Sequence, residues 1–309
     1  MMNKKSLMIL FLISLILISG CTSQQSTTSL KGAYADCYGD DTKMISAEFD
    51  EYAPESSEVG PYQPDDEIPI TVVLTSYFSD DIEASKAKVR LSGDAYTEDI
   101  FSGGKEEVKS EMLYGIDPET CTTEDTEVDM NPLTYKTPIT TKTSKEITGL
   151  YCYEQPVIVK AFLYYTDDEN LIGENLPAGS NPPSSLQITS IDQTPVDVDR
   201  STGEGDMRFK IYLENVGEGT IVPSLDECFA YRESGYREEL SLSVESAAYN
   251  VECPSSIRLS REEKTEIVTC KVTGIDIDNL GASASEITLV FDDFAYEEEI
   301  PSRTIYIEP

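Results

Sequence analysis

The 309-residue chain has no histidine and no tryptophan, and only 23 lysines and arginines stand against 58 aspartates and glutamates. Without an imidazole, neither a Ser-His-Asp triad nor a Cys-His pair can form, and histidine-ligated metal sites are excluded. The formal net charge of −35 repels phosphate backbones and argues against nucleic acid as an unaided partner. The length allows one large domain or two ordinary ones, each with its own core.

The first twenty residues have the order of a secretory signal. Lys4 and Lys5 precede an apolar run over residues 7–17, which is shorter than the roughly 20 apolar residues that span a bilayer. The run leads into Ile18-Ser19-Gly20-Cys21. This tetrad resembles the lipobox of bacterial and archaeal lipoproteins. The resemblance implies that residues 1–20 are a cleaved signal peptide and that the Cys21 thiol carries a lipid.

Two alternatives stay open for this segment: an uncleaved N-terminal anchor with an incidental cysteine, and a type IV pilin leader. The pilin leader lacks a Gly or Ala after the lysines, where its peptidase would cut. All three interpretations place the rest of the chain outside the cytoplasm. On the lipobox interpretation, residues 21–42 are the lipidated cysteine and a flexible tether, because residues 22–29 are small and polar. The membrane is then one partner, bound through the N-terminal lipid at its extracytoplasmic face.

Beyond the tether, short alternating runs rich in Val, Ile, Thr, Tyr and Phe are separated by Gly, Pro, Asp and Ser. This pattern predicts an all-β protein. Residues 174–185 have no periodicity and contain Pro182 and Pro183, which disfavour a central strand. We therefore predict two immunoglobulin-like antiparallel β-sandwich domains in tandem, over residues 43–173 and 186–309, with a linker over 174–185. The clearest predicted strands are residues 70–74, 88–91, 157–163, 209–213, 239–244 and 304–307.

The two predicted domains resemble each other in pattern. The run that ends at Leu74 is repeated 139 residues later at Leu213, and Ile147-Thr148 is repeated 140 residues later at Ile287-Thr288. Two matches at nearly one spacing indicate a duplication, with convergent β-patterning as the alternative. In the second domain, a strand runs into Asn215-Val-Gly217-Glu-Gly219, whose residues tolerate positive φ and predict a tight turn that pairs back.

This second segment resembles the CARDB-type immunoglobulin-like domain (cell-adhesion-related domain) of archaeal and bacterial surface proteins. The resemblance covers roughly residues 186–309, and the first domain lacks the Asn-x-Gly-x-Gly turn. It implies a seven-stranded sandwich that serves as a spacer or adhesion module, with no catalytic residues to transfer.

Six cysteines remain if Cys21 is lipidated, and an even number outside the cytoplasm predicts disulfides. Cys253 and Cys270 flank a predicted hairpin that would place their thiols opposite each other. Cys121 and Cys152 flank a polar stretch of the first domain and form the second predicted pair. Cys37 and Cys228 would then join the two domains, although Cys37 could instead pair with Cys121 or Cys152. No Cys-x-x-Cys is present, which disfavours a redox dithiol or a zinc site.

Two acidic stretches begin like calcium-binding EF-hand loops. In the first, which starts at Asp197, Thr202 stands where Gly is required and Arg208 where Glu is required. In the second, which starts at Asp276, Ile287 replaces that Glu. Neither loop is a credible EF-hand, so we expect no cofactor, with calcium held between loops as the alternative.

The favoured function is therefore non-catalytic: adhesion, envelope scaffolding or the binding of surface proteins or polysaccharide. Tyrosines among charges, such as Tyr231, Tyr236 and Tyr296, are predicted to form a contact surface. The alternatives are a solute-binding lipoprotein of a transporter and a surface hydrolase that uses two carboxylates.

Overall fold

A computed structural model describes residues 37, 44–58, 60–78, 80–97, 100–104, 106–117, 119–154, 157–169, 172, 184–230, 237–246, 248–260, 264–281, 284–291 and 294–309. They belong to one compact unit, Lys31–Pro309. Almost all of the regular structure is β-strand in antiparallel sheets, which confirms the all-β prediction. No helix within these ranges is long and apolar enough to cross a membrane. Cys21 and the predicted signal peptide lie outside the described residues.

The first half of the chain, residues 43–173, contains eight described strands and one short helix, α1, at Gly93–Thr97. The strands are β1 Ile45–Phe49, β2 Glu67–Ser76, β3 Ala87–Ser92, β4 Phe101–Ser102, β5 Glu107–Lys109, β6 Asp125–Tyr135, β7 Thr143–Glu154 and β8 Val157–Tyr164.

The second half, residues 186–309, contains eleven described strands and two 3-10 turns, at Leu225–Glu227 and Ile277–Asn279. The strands are β9 Leu186–Gln193, β10 Asp197–Asp199, β11 Glu204–Asn215, β12 Thr220–Val222, β13 Arg237–Ser241, β14 Ser243–Ser246, β15 Asn250–Glu252, β16 Ser256–Ser260, β17 Thr265–Asp276, β18 Ala284–Phe291 and β19 Ala295–Ile307. Five of the six predicted strands lie inside these elements, and the sixth is split at Leu242 into β13 and β14.

Each half builds one larger sheet from its own strands, and the two sheets repeat each other. The first has the order β1-β2-β6-β4; in the second, β11 lies between β17 and the pair β9 and β10. The registers also match, since Ile70 lies opposite Met130 in the first sheet and Phe209 lies opposite Cys270 in the second. These pairs are 139 and 140 residues apart, the offsets found in the sequence. The strand order and register therefore repeat as a duplication predicts.

The other two large sheets mix strands of both halves. One has the order β12-β19-β7-β3-β5, so that β19 of the second half lies beside β7 of the first. The other has the order β14-β18-β8, so that β8 of the first half lies beside β18 of the second. The positions correspond, because Gly149 of β7 faces Ile300 and the equivalent Leu289 of β18 faces Val159. Each half thus completes the other half's sheet with its last strand.

The β7–β19 pair and the β8–β18 pair use neighbouring stretches of the chain, since β7 precedes β8 and β18 precedes β19. The β7–β19 ladder ends at the pair Glu154–Ala295, and the β8–β18 ladder starts at the pair Val157–Phe291. Two residues separate β7 from β8 in the sequence, Gln155 and Pro156. A two-residue hairpin needs positive φ in its turn, and proline cannot adopt it. The connecting sequence therefore disfavours a hairpin between β7 and β8.

This exchange changes the predicted domain organisation. The segment 174–185 separates the two halves in the sequence, but it does not separate their sheets, because β7 pairs with β19 and β8 pairs with β18. Most buried hydrophobic side chains of both halves accordingly belong to one continuous core, and a second, smaller cluster surrounds the Cys152–Cys228 bridge. The antiparallel sheets are consistent with the predicted β-sandwich fold, and strands of residues 43–173 and 186–309 share two of them.

Candidate functional site

A concave polar surface lies on the mixed sheet of β12, β19 and β7. It is a cleft of about 180 Å³, lined by Leu150, Glu218, Gly219, Thr220, Glu297, Glu298 and Glu299. The cleft is therefore acidic, and it combines residues of both halves. Its volume is below the roughly 300–1,000 Å³ of pockets that enclose organic ligands.

The Asn215-x-Gly-x-Gly turn forms one wall of the cleft. The Asn215 side chain donates to the Gly219 carbonyl oxygen (3.0 Å) and accepts from the Gly217 N–H (3.2 Å). The turn does not pair back onto β11 as predicted, because β12 pairs with β19 instead. Neither glycine has a positive φ. Both lie so close to the Tyr296 ring that a Cβ at either position would collide with it, which explains the glycines.

Glu298 and Tyr151 meet on the inner side of the cleft. The Tyr151 hydroxyl on β7 donates a hydrogen bond to the Glu298 carboxylate on β19, and it lies 3.0 Å from the carbonyl oxygen of Ile45 on β1. Burial raises the pKa of the Glu298 carboxyl above its ordinary value; the hydrogen bond from Tyr151 opposes this shift, and the Glu218 charge adds to it. This contact ties the mixed sheet to the sheet that contains β1.

A cluster of buried tyrosines surrounds that contact. Tyr153 stacks beside Tyr151 with ring centroids 6.2 Å apart and meets Tyr296 edge to face at 5.8 Å. Burial raises the pKa of all three hydroxyls, so they remain protonated at any physiological pH. Tyr296 was predicted to lie on a contact surface, and this is wrong: it is 2% exposed and accepts a hydrogen bond from the Gly219 N–H (2.5 Å). Tyr231 and Tyr236 lie outside the described residues.

A short segment of the second half covers the outer face of the same sheet; we call residues 224–230 the clasp. Its Cys228 is disulfide-bonded to Cys152 of β7. Its Phe229 lies under two cations of β3, with its ring centroid 5.0 Å from the Lys88 ammonium and 4.8 Å from the Arg90 guanidinium. The Phe229 N–H donates to the Glu297 carboxylate at 2.5 Å. The clasp therefore contacts three strands of the mixed sheet: β7 and β3 of the first half and β19 of the second.

The chemistry that this arrangement can support is limited. A carboxyl with a raised pKa in a cleft is a candidate for proton transfer, and Glu298 is such a group. Its nearest described partner, however, is a tyrosine that also faces a backbone carbonyl, which is the pattern of a structural tie between sheets. Glu297 is held by the Phe229 N–H. The geometry thus favours a reinforced junction over a reaction centre.

The disulfides agree only in part with the predicted pairing. Cys253 and Cys270 are bonded, as predicted. The predicted Cys121–Cys152 pair is wrong, since Cys121 is bonded to Cys37 and Cys152 to Cys228. A bridge between the halves exists, but Cys152 supplies it in place of Cys37.

The physical reasons lie in the strand pairing. Cys253 follows β15, which pairs with β17 and so reaches Cys270; β16, predicted as the other arm of the hairpin, pairs with β13 instead. Cys152 lies on β7, and β19 and β12 bring the second half beside it. No local sequence pattern reveals that neighbourhood, because it depends on the exchange of β8 and β19.

The two calcium-like loops use their carboxylates for their own turns. Asp199 accepts hydrogen bonds from the N–H (2.8 Å) and hydroxyl (2.6 Å) of Ser201. Asp276 accepts from the Asp278 N–H and from the Asn279 side chain, both at 3.0 Å. Within the described ranges, no group of three or more acidic or cysteine side chains is placed to hold a metal ion.

A comparison with protein-family models and with curated proteins found no match for this chain.

Proposed function

We propose that the protein is a lipid-anchored extracytoplasmic scaffold or adhesion protein that works without catalysis. The observation that carries this proposal is the pairing of all six cysteines other than Cys21 into three disulfides. Disulfides persist in oxidising compartments and are rare in the cytosol, which supports an extracytoplasmic location. The resemblance of residues 18–21 to a lipobox supplies the anchor, and Cys21 is the lipidated residue.

The mixed sheets support a mechanical role for the body of the protein. Separating the two halves requires the rupture of the β7–β19 ladder, the β8–β18 ladder and the Cys152–Cys228 bridge. A scaffold between a membrane anchor and a surface partner experiences this kind of load. The CARDB-like pattern of residues 186–309 implies the same role, as a spacer or adhesion module. The partner in this proposal is another surface protein or a polysaccharide.

The proposal is tested by locating the protein and its N-terminus in cells. We expect wild-type protein in the membrane fraction, with a mass that shows a lipid on a terminal Cys21 and six blocked thiols. Cys21→Ser should leave the membrane or retain residues 1–20, with its three disulfides unchanged. An unmodified Met1 together with free thiols at Cys152 and Cys228 would contradict both the location and the anchor.

The position of Glu298 in the cleft and its raised pKa favour a surface hydrolase instead. A hydrolase would lose its activity on polysaccharides or peptides in Glu298→Gln, whereas a scaffold would show no activity in either form. The solute-binding alternative needs two α/β lobes, whereas almost all regular structure within the described ranges is strand and the helix at Gly93–Thr97 has five residues. Circular dichroism above about 25% helix would restore that alternative.

A further inference from the structure

Among the described residues, the mixed sheet β14-β18-β8 ends at β8, and we call the unpaired side of β8 its open edge. β8 pairs with β18 on one side, and no strand of the described chain lies along its other side. At the end of β8, the Tyr164 N–H donates to the Gln193 side chain (2.9 Å) and the Tyr164 carbonyl accepts from it (2.6 Å). Alternate residues of an antiparallel strand point their backbone groups to the same side. Ile158, Lys160 and Phe162 therefore direct their N–H and C=O groups to the open edge.

The side chains along this edge are unusually apolar for a solvent-facing surface. Ile158 is 53% exposed and Phe162 is 40% exposed, and both lie on the outer face of β8. Lys160 lies between them, and its charge is balanced by Glu286 of β18 at 3.0 Å. The β8–β18 ladder has no bulge along its length. A regular edge with two exposed apolar side chains, whose one lysine is neutralised by an ion pair within the sheet, is able to pair with another strand.

β19 has the equivalent place in the other mixed sheet, and its edge is protected. β12 pairs with its first residues, and Tyr62 pairs with its last ones through the Tyr62 N–H to the Tyr306 carbonyl (2.9 Å). Between these, the strand carries Pro301 and a bulge from Ile300 to Arg303. Proline and bulges are the devices that block edge pairing. The outer edge of β19 is therefore protected, whereas the outer edge of β8 has no described strand beside it.

We propose that the β8 edge binds an extended segment of a different protein as an added antiparallel strand, with Lys or Arg at the N-terminal end of that segment. Antiparallel addition places this end beside the residues that follow β8, where the side chains of Asp167 and Glu169 are exposed. A basic end is attracted there. A second copy of this chain is a poor occupant, because each copy carries a net charge of −35. This inference names the kind of partner for the proposed scaffold and rests on that function.

The probe is a fluorescent ten-residue peptide with two N-terminal lysines followed by alternating threonine and valine. We expect saturable binding to the full disulfide-bonded protein by fluorescence anisotropy. Moving the two lysines to the C-terminus should weaken the binding at least about threefold. Lys160→Pro removes the central N–H of the edge and the Lys160–Glu286 ion pair but no backbone N–H that faces β18, and it should weaken the binding at least about tenfold.

Ile158→Ser should also weaken binding, and Ile267→Ser on β17 is the matched control because Ile267 is equally exposed (53%). Circular dichroism and thiol mapping establish that each variant keeps its fold and disulfides. No binding of the peptide, or equal loss in Ile158→Ser and Ile267→Ser, would overturn the inference. A dimer in sedimentation equilibrium that Lys160→Pro disrupts would assign the edge to a second copy and would also overturn it. Neither result bears on the proposed scaffold function, which the membrane-anchoring experiment tests separately.

Discussion

β7 and β18 are equivalent strands of the two halves, yet their surroundings differ. The β7 sheet has five strands, a disulfide to the clasp and a covered outer face. The β18 sheet has three strands among the described residues, and no cysteine lies in any of them. The second half thus supplies β12, β19 and the clasp to reinforce the first. The difference shows that the two halves share a framework of strands, whereas the segments that are not repeated decide which sheet is covered.

The largest effect is expected from removing the bridge between the halves. Cys152→Ala with Cys228→Ala opens a loop of 76 residues, for which chain entropy predicts a loss of about 4.5 kcal/mol in the free energy of unfolding. Cys37→Ala with Cys121→Ala opens a similar loop of 84 residues, between the segment before β1 and the first half. We expect the first variant to lose more, because it also releases the clasp.

Denaturation in guanidinium chloride with native thiol mapping measures this difference. The Cys253–Cys270 pair closes a loop of only 17 residues, and its removal should cost about 3 kcal/mol. If the Cys152–Cys228 variant loses less than the Cys253–Cys270 variant, the mixed sheet does not depend on that bridge.

A smaller effect on stability is expected from adding a side chain to Gly219, in the turn before β12. Gly219→Ala places a methyl group against the Glu297 carbonyl oxygen and the Tyr296 ring, which should cost about 1–3 kcal/mol by overpacking. Gly281→Ala is the control, since nothing lies within 4 Å of its Cβ position and its φ is not positive; it should change stability by less than about 0.5 kcal/mol. Thermal unfolding compares the two. Equal unfolding midpoints for the two variants would show that the space around Gly219 accommodates a methyl group.

The smallest effect concerns Glu298 and depends on pH. Because its pKa is raised in the folded state, the protonated form is favoured by folding, and this stability is lost as the pH rises through the folded pKa. Glu298→Gln should therefore stabilise the protein at pH 7 and have no such benefit below about pH 4, near the ordinary pKa of glutamate. The gain should stay below about 1 kcal/mol, because the carboxyl is partly exposed to solvent.

Glu299→Gln changes the net charge equally at the next, exposed position of β19 and is the matched control. Unfolding curves at several pH values measure both variants. A gain for Glu298→Gln that is the same at pH 4 and pH 7, or that Glu299→Gln reproduces, would exclude a raised pKa as its cause.

The sequence predicts the strands well because the alternation of buried and exposed side chains is a local property. Val157, Val159, Ala161 and Leu163 are buried, as the pattern of β8 indicates. The same pattern does not identify the neighbouring strand. β8 and β19 are equivalent strands of the two halves, so the pattern alone would allow either to pair with β7 or with β18. The Cys152–Cys228 bridge and the Tyr151–Glu298 contact depend on that choice, so they were missed. Only the sequence Gln155-Pro156 carries a local signal, because it disfavours a hairpin.

The exchange of last strands also has a consequence for the order of events during synthesis. β7 is made from residues 143–154, but its partner β19 ends only two residues before Pro309. The sheet that contains β7 therefore stays unfinished until residues 295–307 have been synthesised. A chain that stops before β19 leaves β7 without this partner.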